Sequence, residues 1–174
     1  YRALDREMDR EVALKTLPAT DAEQVFRLKA EFRALSEIAH PNLIHLHELV
    51  VSDDDCFFTM ELLEGVTLTE YLRPDEATGV LDDRGLERLE RLAPQLVTGI
   101  AALQRHRRLH RDIKPTNIIV TTDGRAVLVD FGFCANLARE PRDAGAFVGT
   151  LRYMPPEQAW GQALTPAADW YAFG

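Results

Sequence analysis

Two short β-branched runs, Ile118 to Thr121 and Arg125 to Val129, flank Thr122-Asp123-Gly124, and no other stretch restricts the fold as tightly. A Gly beside an Asp is what a tight hairpin turn asks for. With Asp123 and Gly124 as a two-residue turn, Asn117 stands opposite Asp130. That register brings an amide oxygen and a carboxylate together at the open end of the hairpin. Hard oxygen donors of this kind suit Mg²⁺, which takes few protein ligands and completes its shell with water and phosphate. Asn and Asp also serve turns and strand ends, so the pair alone reads either as metal ligands or as caps. Asp112 and Lys114 lie just upstream, adding a second carboxylate and an amine near the same hairpin mouth.

Upstream of the hairpin the patterning runs from strands to helices. The chain opens in strand-like alternation, and Val12 to Leu17 alternates between charged turns and Pro18. Asp21 precedes a helical run in which Val25, Leu28, Phe32, Leu35 and Ala39 recur at three- and four-residue steps, with Pro41 as its stop. Glu31 falls on or beside the apolar face of that helix, where a carboxylate needs a partner. Leu43 to Val51 and Cys56 to Leu62 read as two more strands. Helical patterning returns weakly after Thr67 and strongly from Leu86 to Arg107, where Pro94 and Gly99 are expected to kink or loosen the helix.

Bulk properties exclude more than they identify. At 174 residues, 46% hydrophobic and 28% charged, the chain has the make-up of one globular domain and is too apolar for disorder. A net charge of −8 argues against nucleic acid as the main partner, because phosphate backbones recruit basic faces. Cys56 and Cys134 have no metal-ligand spacing around them and fit a reducing compartment. No run approaches bilayer length. Tyr1 starts inside strand-like sequence and Gly174 ends inside an apolar, aromatic run, so the chain reads as a piece of something longer.

His110-Arg111-Asp112, Lys114 and Asn117 together resemble the catalytic loop of the protein kinase family, and Asp130-Phe131-Gly132 resembles its metal-binding triplet. Val12-Ala13-Leu14-Lys15 resembles the strand that carries the phosphate-contacting lysine. Gly149 to Glu157 resembles the end of the activation segment, with Pro155 where Ala is usual, and Asp169 to Gly174 resembles the start of the next long helix. The resemblance implies an α+β, bilobal fold truncated at both ends. A small strand-rich N-lobe with one helix would occupy residues 1–62, and the first part of a larger, mainly helical C-lobe residues 63–174.

The same resemblance implies roles. The chain is expected to transfer the γ-phosphate of ATP to serine or threonine hydroxyls of protein substrates in the cytoplasm, with Mg²⁺ as cofactor and further domains in the parent chain. Lys15 would hold the α- and β-phosphates and Glu31 would pair with it, a contact worth about 4 kcal/mol at 4 Å and an effective dielectric near 20. Asn117 and Asp130 would chelate Mg²⁺, Asp112 would take the substrate hydroxyl proton, and Lys114 would steady the transferring phosphate. Met60 would gate the rear of an adenine pocket, with Glu61 to Leu63 as its hinge and Ala13 and Ile119 sandwiching the ring. His110 and Phe131 would pack with Leu35 as scaffold. Lys114 and Thr150 place the resemblance on the serine/threonine branch, and the texture around Gly65-Val66-Thr67-Leu68 is similar to bacterial members.

Two departures qualify the resemblance. None of the ten glycines forms the Gly-x-Gly-x-x-Gly loop that covers ATP phosphates, and Glu157 is expected to lack its buried arginine. The isolated piece is therefore expected to be unstable and inactive. In addition, no Ser, Thr or Tyr lies between Gly132 and Gly149, so loop phosphorylation is not expected to be needed, with Glu140 or Asp143 as candidate partners for Arg111. A catalytically silent scaffold and a small-molecule phosphotransferase are the competing readings. The presence of Lys15, Glu31, Asp112, Asn117 and Asp130 opposes the first, and the Gly149 to Glu157 segment opposes the second.

Overall fold

A computed structural model describes residues 1–17, 22–52, 55–73, 81–131 and 151–174. The expected strand stop at Pro18 and helix start at Asp21 lie outside them, as do Gly132, Glu140, Asp143, Gly149 and Thr150.

The N-terminal part is an antiparallel sheet of β1 (Arg2–Asp5), β2 (Arg10–Thr16), β3 (Leu46–Val51) and β4 (Cys56–Glu61), ordered β1-β2-β4-β3. One helix, α1 (Ala22–Ser36), packs on it. Leu28, Phe32 and Leu35 are buried along one face of α1, and Phe32 meets Phe58 of β4 edge-on at 5.9 Å between ring centres. The helix ends five residues before Pro41. Its last turn tightens, with Ile38 N–H donating to the Leu35 carbonyl (3.0 Å), so that Ile38 is buried and Ala39 is left exposed.

The remainder is mainly helical around a second antiparallel sheet: β5 (Gly65–Thr67), β6 (Ile118–Thr121) and β7 (Ala126–Leu128). Thr67 caps α2 (Leu68–Leu72) through a reciprocal box with Glu70. The long helix α3 (Asp83–Arg105) starts at Asp82, whose carboxylate accepts from Gly85 N–H (2.7 Å), and buries Leu92, Leu96, Ile100 and Leu103. It runs unbroken through Pro94, which is exposed. Gly99 serves packing and not flexibility, since a Cβ there would come within 3.1 Å of the Asn42 carbonyl oxygen. Two short helices, α4 (Pro156–Ala159) and α5 (Ala167–Phe173), complete the described chain.

Asn42 joins the two parts. Its amide donates to Gln95 (3.0 Å) on α3 and to the Ala126 carbonyl (2.7 Å) on β7, while its own carbonyl accepts from Leu128 N–H (2.9 Å). At 6% exposure these bonds are what make its burial tolerable.

The hairpin differs from expectation in register. Ile118 pairs with Leu128, Ile119 with Val127 and Val120 with Ala126. Thr121 and Arg125 close a three-residue loop, with Thr121 N–H donating to the Arg125 carbonyl (2.9 Å) and Gly124 at φ +85°. A turn finished by a left-handed glycine adds one residue over the two-residue form. Asn117 therefore stands opposite Val129, whose N–H donates to the Asn117 carbonyl (2.9 Å), and Asp130 lies one residue beyond. Gly124 has open space around its Cα, so only backbone strain opposes a side chain there. Gly124→Ala is expected to lower stability by about 1 kcal/mol in urea unfolding of the full-length protein.

Candidate active site

Pro115 opens a single 3-10 turn, Pro115–Asn117, that bends the loop after Lys114 into β6. The bend folds Asn117 back onto Asp112. The Asn117 amide donates to the Asp112 backbone carbonyl (2.9 Å) and to Asp112 Oδ2 (2.8 Å), and Lys114 Nζ donates to the same Oδ2 (2.8 Å). Asn117 is buried at 5%, so its orientation is fixed by these bonds. Both amide hydrogens are used toward Asp112, which leaves the Asn117 side-chain oxygen as an acceptor. That is the donor type a hard cation takes.

Asp130, with φ +57°, sits just past β7, and its Oδ1 accepts from Lys15 Nζ at 2.7 Å. Glu31 does not reach Lys15. Its Oε1 lies 3.5 Å from Arg111 Nη1, so the expected Lys15–Glu31 pair is replaced by two others, Lys15–Asp130 and Glu31–Arg111. All four side chains remain about a third exposed. Exposed pairs of this kind are worth little each and are readily exchanged. Arg111 also carries a buried Nε with no partner among the described residues.

A rigid layer lies beneath. His110 is fully buried and packs on Phe131 in a tilted contact, 5.2 Å between ring centres and 47° between planes. Its Nε2 donates to the Val129 carbonyl (3.0 Å) and its Nδ1 accepts from Asp112 N–H (3.4 Å). A ring that donates at one nitrogen and accepts at the other is neutral. Burial favours the same form: it holds the His110 pKa below the ordinary range against the opposing pull of the Asp169, Asp112 and Asp130 carboxylates and the Val129 hydrogen bond. Asp169 of α5, 1% exposed, accepts from His110 N–H (2.8 Å) and Arg111 N–H (2.9 Å). Those two bonds hold Arg111 at φ +68°, a conformation costing a non-glycine residue about 1–2 kcal/mol.

A positioned carboxylate, an amine on it, two candidate oxygen ligands and a second lysine make a site for phosphate chemistry. The family model described as protein kinase domain matches residues 1–174. The chain belongs to the protein kinase family. It is 34% identical over 184 residues to the serine/threonine-protein kinase PrkC of Bacillus subtilis, covering 100% of this chain and 26% of that protein. With the serine/threonine-protein kinase PknA of Mycobacterium tuberculosis it shares 33% identity over 184 residues, covering 100% of this chain and 41% of that one. The chain thus spans well under half the length of these bacterial relatives. A solved structure, PpkA-294 in its apo form, superposes with a TM-score of 0.70 over 99% of this chain and 66% of that chain. At 23% identity that likeness speaks to the fold alone, and the fold is the bilobal kinase arrangement of a strand-rich part and a helical part.

The segment expected to form the hinge begins at the end of β4. Ala13 pairs with Met60 across β2 and β4, and Ile119 lies on β6, all three half-buried. Leu63 is in the irregular link to β5. Glu61 N–H donates to the His45 carbonyl (2.8 Å), and its side chain pairs with Arg125, whose Nη1 also donates to the Pro41 carbonyl (3.1 Å). Arg125 and Asp169 carry no sequence signal for these contacts, because nothing in the spacing of a residue after a turn, or of one Asp on a short helix, shows what it will meet. Glu157, expected to be a buried charge without a partner, is only half-buried, so a full desolvation penalty does not arise.

Proposed function

We propose that the intact domain transfers the γ-phosphate of ATP to serine or threonine hydroxyls of protein substrates. The observation that carries this reading is the Asp112 carboxylate, which is bonded through Oδ2 to Lys114 and Asn117, so that Oδ1 could take a substrate hydroxyl. Phosphoryl transfer asks the protein for positioning and charge stabilisation more than for covalent help. Asp112 would orient the hydroxyl and take its proton, and Lys114, already beside that carboxylate, would meet the transferring phosphate. Asn117 and Asp130 fit Mg²⁺ by donor type, and the ion would neutralise charge on the phosphates. Lys15 would bind phosphate oxygens. That requires Lys15 to trade Asp130 for phosphate and Glu31, and Glu31 to leave Arg111. Ala13, Met60, Ile119 and the Glu61 to Leu63 link would form the adenine pocket.

The names of the bacterial relatives support the serine/threonine assignment, and their greater length supports further domains in the parent protein. No helix among the described residues is long and apolar enough to cross a membrane. A cytoplasmic setting is proposed from the need for ATP.

The test compares full-length protein with Asp112→Asn on a serine- and threonine-containing protein substrate with Mg²⁺ and γ-labelled ATP. Loss of about 10²–10⁴-fold in transfer with ATP affinity nearly unchanged is expected. Equal transfer by the two proteins would sink the assignment.

A further inference from the structure

His45 precedes the edge strand β3, and His47 lies within it. Their rings stand 5.0 Å apart between centres, inclined at 71°. The intervening Leu46 is buried at 3%, so the two imidazoles share the opposite face of the strand, as residues two apart do. The pairing of β3 with β4 slips between Leu46 and Glu48, which makes His47 the extra residue of a bulge. Bulges bend a strand and re-aim side chains. His45 is exposed and His47 half-buried, with no strand beyond β3 among the described residues to cover them.

Two imidazole nitrogens held on one ion at 2.0–2.1 Å put their ring centres about 4.5–5.2 Å apart for N–metal–N angles of about 90–110°. The observed separation falls within that range. We propose that His45 and His47 form a two-imidazole site for a borderline divalent cation, Cu²⁺ or Zn²⁺, with water filling the other positions.

The surroundings define which ion. Asp5, Arg10 and Glu61 are the charged groups that bear on His47. Both carboxylates are already engaged: Asp5 accepts from Glu7 and Met8 N–H (3.1 Å each) and lies 3.5 Å from Arg10, and Glu61 holds Arg125. No group of three or more His, Cys, Asp or Glu side chains is arranged to hold an ion among the described residues. Imidazole donors suit Cu²⁺ and Zn²⁺ and pass over Mg²⁺, and the general affinity order for divalent ions puts Cu²⁺ above Zn²⁺. This separates the site chemically from the oxygen donors of Asn117 and Asp130. It also lies one hydrogen bond from the hinge, because the His45 carbonyl accepts from Glu61 N–H.

The test is calorimetric titration of tag-free, metal-free full-length protein with CuCl₂ and with ZnCl₂, repeated for His45→Asn, His47→Asn and the double variant. One ion per chain is expected, with Cu²⁺ tighter than Zn²⁺. Because chelation makes the second contact intramolecular, each single variant should lose about tenfold or more, and the double variant, left with neither imidazole, should not bind at this site. The Cu²⁺ electron paramagnetic resonance spectrum should show two imidazole nitrogens in the parent and one in His45→Asn. His45 is exposed, so that variant keeps the test valid if His47→Asn fails to fold. Equal Cu²⁺ affinity in the parent and His45→Asn, or no 1:1 binding, would leave only a ring–ring contact and overturn the proposal. None of these readouts uses ATP, so the result is independent of the kinase reading.

Discussion

Asp130→Asn in the full-length protein is expected to reduce phosphoryl transfer by about three powers of ten while leaving unfolding stability within about 0.5 kcal/mol of the parent. The activity figure follows from the several kcal/mol that metal-centred charge neutralisation supplies in phosphoryl transfer, at about 1.4 kcal/mol per factor of ten. The stability figure follows from geometry. Asp130 sits at φ +57°, a left-handed conformation that Asn tolerates as well as Asp does, so the substitution adds no backbone strain. Its bond to Lys15 is about a third exposed at both ends, where an ion pair contributes little. Removing the charge therefore acts on the chemistry and hardly on the fold. Asp130→Ala would confuse the two by adding strain. The measurements are transfer rates across a Mg²⁺ series and urea unfolding of the same preparations. A rate within tenfold of the parent at every Mg²⁺ concentration would remove Asp130 from the proposed metal site.

What could be read from sequence depended on how local each determinant is. The helix over α1 was legible because Leu28, Phe32 and Leu35 repeat at helical steps, and its buried face followed. The hairpin was legible as a hairpin but not in register, because Asp123-Gly124 suits both a two-residue turn and a three-residue loop ending in a left-handed glycine. One residue of loop moved Asn117 from opposite Asp130 to opposite Val129. The two residues still lie at the same mouth, since Asp130 follows directly. The ion pairs were the least legible. Lys15 meets Asp130, Glu31 meets Arg111, and solvent-exposed charges choose partners by small energies that sequence spacing does not encode. Arg125 is the same case across 64 residues, joining β7 to the end of β4 through Glu61.

Asp169 presents the opposite case, where a charge acts on the fold first and on chemistry through it. Asp169→Ala is expected to lower stability by about 3–5 kcal/mol, because it removes a carboxylate that satisfies two backbone N–H groups in a site 1% exposed to solvent. His110 N–H is buried and has no way to recover its bond from bulk water. The second consequence is conformational. Arg111 at φ +68° is held by its N–H bond to Asp169, and releasing it lets the backbone relax toward ordinary φ. That relaxation would turn the loop that carries Asp112, loosening the contacts of its Oδ2 with Lys114 and Asn117. Asp169→Asn keeps the shape and one acceptor oxygen but turns an amide N–H toward a backbone donor, so an intermediate loss of about 1–3 kcal/mol is expected. Urea unfolding of the three full-length proteins measures the series, and amide hydrogen exchange at His110 and Arg111 locates the effect. Parent-like stability of Asp169→Ala, with both amides still protected, would show that another group or water satisfies them and that the loop does not depend on α5.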